Sequence, residues 1–101
     1  MPETNTTRKP KVQLKAERPK LHKVILLNDD YTPRDFVVVV LKSVFGMNEG
    51  IAARVMLTAH QRGACVVAVF TKDIAESKAT RANDAARKEG HPLTFTTEPE
   101  E

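Results

Sequence analysis

A short polar segment, Asn28-Asp29-Asp30, places a carboxamide and two carboxylates side by side. All three side chains accept hydrogen bonds, and an α-ammonium group needs about three acceptors for its three protons. The segment therefore suits the binding of a cation. Asn and Asp also make turns and cap helices, so a purely structural role for the segment is an open alternative.

His60 is the second residue with chemical potential, because it follows Ala59 and lies four residues after Met56. A neutral imidazole nitrogen can accept a proton of the same ammonium, while Met56 and Ala59 line an adjoining apolar cavity. A lone histidine on a helix is more often an ordinary core or surface residue. The binding role requires tertiary contact with the polar segment.

Other chemistry has less support in the sequence. Cys65 lies in an apolar run, which is typical of a small core residue. The three histidines lack metal-ligand spacing, and there is no phosphate-binding glycine loop. Asp30 and His60 could serve a small hydrolase, but no nucleophile accompanies them. We therefore expect no catalytic residue, no metal and no cofactor.

The composition is that of one small domain, since 101 residues with 41% apolar content have room for a single core. No apolar run approaches the length that spans a bilayer, and the single cysteine offers no internal disulfide. We expect a soluble protein of a reducing cytoplasm, acting as a monomer without contact to a membrane.

The positive charge is concentrated at the N-terminus. Residues 1–20 carry six Lys and Arg against two Glu, a net +4, so a chain of total charge +3 leaves −1 for the other 81 residues. We predict a flexible basic extension over 1–20, rich in proline, and a core domain over 21–101. Nucleic acid is not an expected partner of the core, although a ribosome- or nucleic-acid-associated module that uses the extension is an alternative.

The elements that must position the polar residues follow from hydrophobic periodicity and helix signals. Thr32 is predicted to cap a helix that begins near Pro33, and the helical spacing of Phe36 to Phe45 outweighs the strand propensity of four consecutive valines. Asn48 is predicted to cap a second helix that Gly63 ends. The predicted strands are Val24 to Leu27, Ala64 to Thr71 as a central strand buried on both faces, and Leu93 to Thr97; the third helix is Asp73 to Lys88.

This order, β-α-α-β-α-β, predicts an α+β fold with a three-stranded antiparallel sheet and helices on one face. The chain also resembles the ClpS family of Clp protease adaptors. The resemblance covers roughly residues 22–97, and its motifs stand in the order and spacing of that family. They are KVILLNDDYTP from Lys23, MLTAH from Met56, VFT from Val69, AESK from Ala75 and HPL from His91.

The resemblance implies an adaptor that binds substrates without catalysis and delivers them to the N-terminal domain of a ClpA-type unfoldase. It implies that the substrate's α-amine is held by Asn28, Asp29, Asp30 and His60. The side chain of the substrate's first residue, which would be Leu, Phe, Tyr or Trp, would enter a pocket. The residues that form this pocket are Leu27, Thr32, Arg34, Val37, Met56, Ala59 and Leu93. The implied unfoldase contacts are Tyr31, Asp73 and Lys78.

Two positions depart from the family pattern. Many members have Met where this chain has Arg34, and a larger aliphatic residue where it has Ala59. Arg34 puts a charge at the pocket rim, and Ala59 removes volume from the wall. We expect both to change the preference among the four first residues.

Overall fold

The computed structural model describes residues 19–100, so residues 1–18 of the predicted extension lie outside the described residues. Three strands and three helices follow one another in the predicted order β-α-α-β-α-β. They are β1 (Leu21–Leu27), α1 (Arg34–Phe45), α2 (Glu49–Arg62), β2 (Ala64–Thr71), α3 (Lys72–Lys88) and β3 (Thr94–Pro99). The predicted fold class is confirmed.

The three strands form one antiparallel sheet in the order β2-β1-β3. In the central strand β1, Val24 and Leu26 are buried against the helices, whereas Leu21 and Leu27 are exposed. This alternation follows from the two-residue period of a strand that is covered on one face only. A register shift between Val24 and Ile25 marks a bulge in β2 opposite this point.

The position of β2 differs from the prediction. β2 is an edge strand, and its Val66 and Val69 are 48% and 39% exposed. An unbroken apolar run gives no information about which strand occupies the centre of a sheet. Here β1 pairs on both sides, so within residues 19–100 β2 is paired along one edge only.

The run of four valines is helical, as the spacing predicted. Val37, Val40, Leu41 and Val44 are buried along one side of α1, while Val39 is exposed. In α3 the buried side is made of small residues, which lets the helix lie close to the sheet; these are Ala75, Ala79, Ala82 and Ala86. Ile74 was predicted on that side, but it is 47% exposed.

The helix ends agree with the sequence at α2 and differ at α1. The Asn48 side chain accepts from the N–H of Ile51 at 2.9 Å, and Gly63 ends α2 with a left-handed backbone at φ +91°. The predicted Thr32 cap is wrong, because α1 has no side-chain cap and the Thr32 hydroxyl donates to Asp29 instead.

Candidate functional site

The loop between β1 and α1 is held by Asp29. One carboxylate oxygen accepts from the N–H groups of Tyr31 and Thr32, at 2.8 and 2.7 Å, and the other accepts from the Thr32 hydroxyl at 2.9 Å. Partial burial raises the pKa of Asp29, but these bonds and the charge of His91 outweigh it and hold that pKa below its ordinary value. Asp29 is therefore an ionised anchor of the loop.

The loop is joined to the end of α2 through backbone groups. The N–H of Asn28 donates to the carbonyl of Gly63 at 3.0 Å, and the N–H of Gly63 donates to the carbonyl of Ala59 at 2.8 Å. His60 lies in this last turn of α2. The two parts of the predicted amine site, which are far apart in sequence, therefore lie at the same cavity.

The cavity has a volume of about 320 Å³ and lies between the loop, α1, α2 and the segment before β3. Its size is at the lower end for ligand pockets. It is lined by every residue predicted for the amine site and the side-chain pocket, and in addition by Leu26, Tyr31 and Pro33. Leu26, the buried residue of β1 next to the loop, was part of the predicted strand but not of the predicted pocket.

The polar and apolar parts of this cavity are separate. Asn28, Asp30 and His60 are exposed at its opening. Val37, Ala59 and Leu93 are buried in its wall. Asp29 also lines the cavity, but its two oxygens already accept hydrogen bonds from the loop. The arrangement offers acceptors for a cation beside a buried apolar wall.

Arg34, the first residue of α1, contacts His60 directly. Its Nη2 atom lies 3.0 Å from Nε2 of His60. A guanidinium group only donates, so Nε2 can take part in this hydrogen bond only as the acceptor. The exposed ends of both side chains therefore meet over the opening, a contact that the sequence did not predict.

Leu93 is positioned by Arg87 of α3. The Nη1 atom of Arg87 donates to the carbonyls of His91 and Leu93 at 2.8 and 2.7 Å, and Nη2 donates to the Thr94 hydroxyl at 3.0 Å. Asn83 adds two bonds to the backbone of Phe95. Arg87 could not be found from the sequence, because nothing distinguishes it there from the other charged residues on the exposed side of α3.

The residues predicted to contact the unfoldase lie in the loop between β1 and α1 and in α3. Tyr31 follows the end of β1 and is 83% exposed. Asp73 lies just after the end of β2, whose last residue pairs with Leu21 at the start of β1, whereas Tyr31 follows the other end of β1. The Lys78 ammonium donates to the carbonyl of Val44 at 2.9 Å and lies 5.8 Å from the Phe70 ring centre.

Other chemical groups give no further centre within residues 19–100. Burial raises the pKa of the Cys65 thiol, an effect only partly opposed by Arg62, so the thiol is protonated at neutral pH. No three His, Cys, Asp or Glu side chains of this part of the chain are grouped to hold a metal ion. Its helices are also too short or too polar to cross a membrane.

Comparison with known proteins places these features in a family. The family model described as "ATP-dependent Clp protease adaptor protein ClpS" matches residues 17–96. The ATP-dependent Clp protease adapter protein ClpS 1 of Rhodopseudomonas palustris is 72% identical over 93 residues, which are 92% of this chain and 90% of that protein. ClpS 2 of Mesorhizobium japonicum is 64% identical over the full length of both chains.

A solved structure is also similar. The structure of Agrobacterium tumefaciens ClpS2 bound to L-phenylalaninamide has a TM-score of 0.81 and 63% sequence identity. The match covers 82% of this chain and all of the Agrobacterium chain. Phenylalaninamide has a free α-amine and a benzyl side chain, with an amide where a polypeptide would continue.

Proposed function

Because this chain belongs to the ClpS family of adaptors for the ATP-dependent Clp protease, we propose that it captures proteins by their N-terminal residue and delivers them to a ClpA-type unfoldase. Membership makes it an adaptor and not an enzyme. The observation that carries the proposal is that Asn28 and His60 line the same cavity, which has an apolar wall.

The free α-ammonium group is the first determinant of capture. Asn28, Asp30 and His60 together offer a carbonyl, a carboxylate and an imidazole nitrogen, which matches three ammonium protons. Asp30 is better available than Asp29, because within residues 19–100 its carboxylate makes no hydrogen bond. Internal residues carry a neutral amide in place of the ammonium, so these acceptors select chain ends.

The first side chain is the second determinant. Val37, Met56 and Leu93 supply apolar surface, and burying a Leu or Phe side chain against it is worth about 1.5–3 kcal/mol. The ligand of the Agrobacterium structure has the amine and the aromatic side chain of an N-terminal phenylalanine. We propose the same class of ligand here: a protein or peptide that begins with Leu, Phe, Tyr or Trp.

Delivery to the unfoldase is the second step of the proposed function. We propose that Tyr31, Asp73 and Lys78 contact the N-terminal domain of the unfoldase, and that residues 1–18 are required for transfer but not for capture. Deleting 1–18 is expected to leave peptide affinity unchanged and to impair degradation by the unfoldase with its peptidase. Loss of peptide binding on truncation would mean that the extension is part of the pocket.

A peptide series tests capture. Fluorescent peptides that differ only at the first residue are expected to bind when it is Leu, Phe, Tyr or Trp, and to bind at least about tenfold more weakly when it is Ile, Val, Ala or Lys. The β-branched Ile is the informative control, because it has the volume of Leu with a different shape at the pocket neck. Similar affinities for Leu and Ile would contradict a preformed pocket.

A further inference from the structure

The contact between Arg34 and His60 excludes a bound ammonium from the same nitrogen. A neutral imidazole has one nitrogen lone pair, and here the guanidinium uses it at 3.0 Å. The other tautomer would turn Nε2 into a donor, which faces a group that only donates. In either tautomer, an ammonium that hydrogen-bonds to His60 requires Arg34 to release the ring.

In this structure the Arg34 guanidinium is paired with no carboxylate of residues 19–100. Within residues 19–100 the ion pairs are Lys23–Glu98 and Lys42–Glu49, and neither includes Arg34. The guanidinium also lies beside the incoming ammonium, a group of the same charge, and their repulsion weakens binding. An additional negative charge at this point would relieve the repulsion and give the guanidinium a bidentate acceptor.

The substrate's second residue is the part of the ligand that can supply this charge. With the first side chain in the apolar cavity, the chain that continues from its carbonyl must leave past the exposed lining residues, of which Arg34 is one. We infer that Arg34 makes this adaptor select substrates with Asp or Glu at the second position. This inference rests on the proposed function and deepens it.

Asp30 is the competing acceptor in the protein itself. It lines the same cavity and, among the described residues, forms no ion pair. Asp35, the next residue in α1, is a further carboxylate close in sequence. If either received the released guanidinium, the substrate's second residue would not matter, and the inference would be wrong.

Three peptides that begin Leu-Asp, Leu-Asn and Leu-Lys, otherwise identical, test the inference by fluorescence anisotropy with the full chain. Asn has the shape of Asp without its charge. Leu-Asp is expected to bind about two- to fivefold more tightly than Leu-Asn, and Leu-Lys more weakly than both, with the differences decreasing as salt increases. In Arg34→Met, the affinities for Leu-Asp and Leu-Asn are expected to become about equal. Arg34→Lys keeps the charge without the planar fork, so its preference for Leu-Asp is expected to lie between those of the parent and Arg34→Met.

Two results would overturn the inference. One is equal binding of Leu-Asp and Leu-Asn to the parent protein while both bind well. The other is an unchanged preference of Arg34→Met for Leu-Asp over Leu-Asn, which would show that the preference comes from the overall electrostatic field of the protein and not from Arg34. If none of the three peptides bound, or if N-acetylation left their affinity unchanged, the proposed function itself would fail. The melting temperature of each variant verifies that it is folded.

Discussion

The backbone N–H of Asn28 lies 3.0 Å from the carbonyl oxygen of Gly63 and donates to it. This bond joins the end of β1 to the end of α2, and thereby fixes the distance between the polar loop and His60. Gly63 can accept it because it has a left-handed backbone that turns the chain from α2 into β2. The geometry of the site therefore depends on a glycine that does not line the cavity.

Gly63→Ala is expected to destabilise the protein and to weaken peptide binding. A Cβ at Gly63 meets no atom within 4 Å, so the cost comes from the left-handed backbone alone, about 1–2 kcal/mol. Gly50→Ala is the matched control, because Gly50 lies inside α2 and Ala there is expected to stabilise by up to about 1 kcal/mol. Chemical denaturation measures both, and equal effects of the two substitutions would contradict this account of Gly63.

Asp29→Ala is expected to cost about 1–3 kcal/mol, because it leaves the amides of Tyr31 and Thr32 without their partner. The pKa of Asp29 is lowered in the folded protein. Its contribution is therefore complete above the ordinary Asp pKa of about 3.9 and is lost as the pH falls through the lower folded value. The stability difference between parent and variant should be constant from pH 7 to 5 and should shrink below about pH 4.

The control for Asp29 is its neighbour. Asp30→Ala is expected to leave stability nearly unchanged, since Asp30 is exposed and its carboxylate makes no hydrogen bond among the described residues. A difference between parent and Asp29→Ala that persisted undiminished at pH 2 would show that the carboxylate charge is not what stabilises the loop.

Arg87→Lys is expected to weaken peptide binding about two- to tenfold, although residue 87 does not line the cavity. A lysine ammonium has no fork that reaches two carbonyls and a hydroxyl at once, so Leu93 would be held less firmly. Arg81→Lys, an exposed change on the same helix, is the control and should leave affinity unchanged. Equal affinities of the two variants would show that Arg87 does not position the pocket wall.

Ala59→Val is expected to shift the preference of the pocket from Trp toward Leu. Ala59 is 2% exposed and lines the cavity, so two added methyl groups reduce the space for a large aromatic ring. Overpacking can itself cost about 1–3 kcal/mol, which is why the readout is the Trp to Leu affinity ratio within one protein. A ratio that is the same in parent and variant would show that residue 59 does not determine selection by size.

The sequence predicted those features that depend on local signals. Asn48 and Gly63 mark the two ends of α2 as expected. In α1 the helical spacing of apolar residues outweighed the strand propensity of the four valines. Ile74 was placed wrongly: its spacing fits the buried side of α3, but it lies in the first turn of that helix and is 47% exposed. The edge position of β2 was missed for a related reason, since strand order is set by pairing and not by composition.

The contacts of polar side chains were harder to predict. The Thr32 hydroxyl had two available partners, a helix amide and the Asp29 carboxylate, and the charged acceptor forms the stronger bond. The contact of Arg34 with His60 joins residues 26 positions apart, and it depends on the side-chain conformations of two exposed residues. The motifs predicted that these residues lie at one cavity, but they could not predict which side-chain atoms form hydrogen bonds with each other.

The central claim is that Asn28 and His60 bind a free N-terminal ammonium group, and acetylation of the peptide tests it most directly. Leu-initiated peptides, free or N-acetylated, would be titrated by fluorescence anisotropy against the parent, Asn28→Ala and His60→Ala proteins, with melting curves for each. Acetylation is expected to weaken binding to the parent about 100-fold or more, because it removes the charge and leaves the acceptors unpaired. Both variants should lose most of the affinity for the free peptide while melting near the parent temperature. Equal affinity of the parent for free and acetylated peptide would contradict the claim.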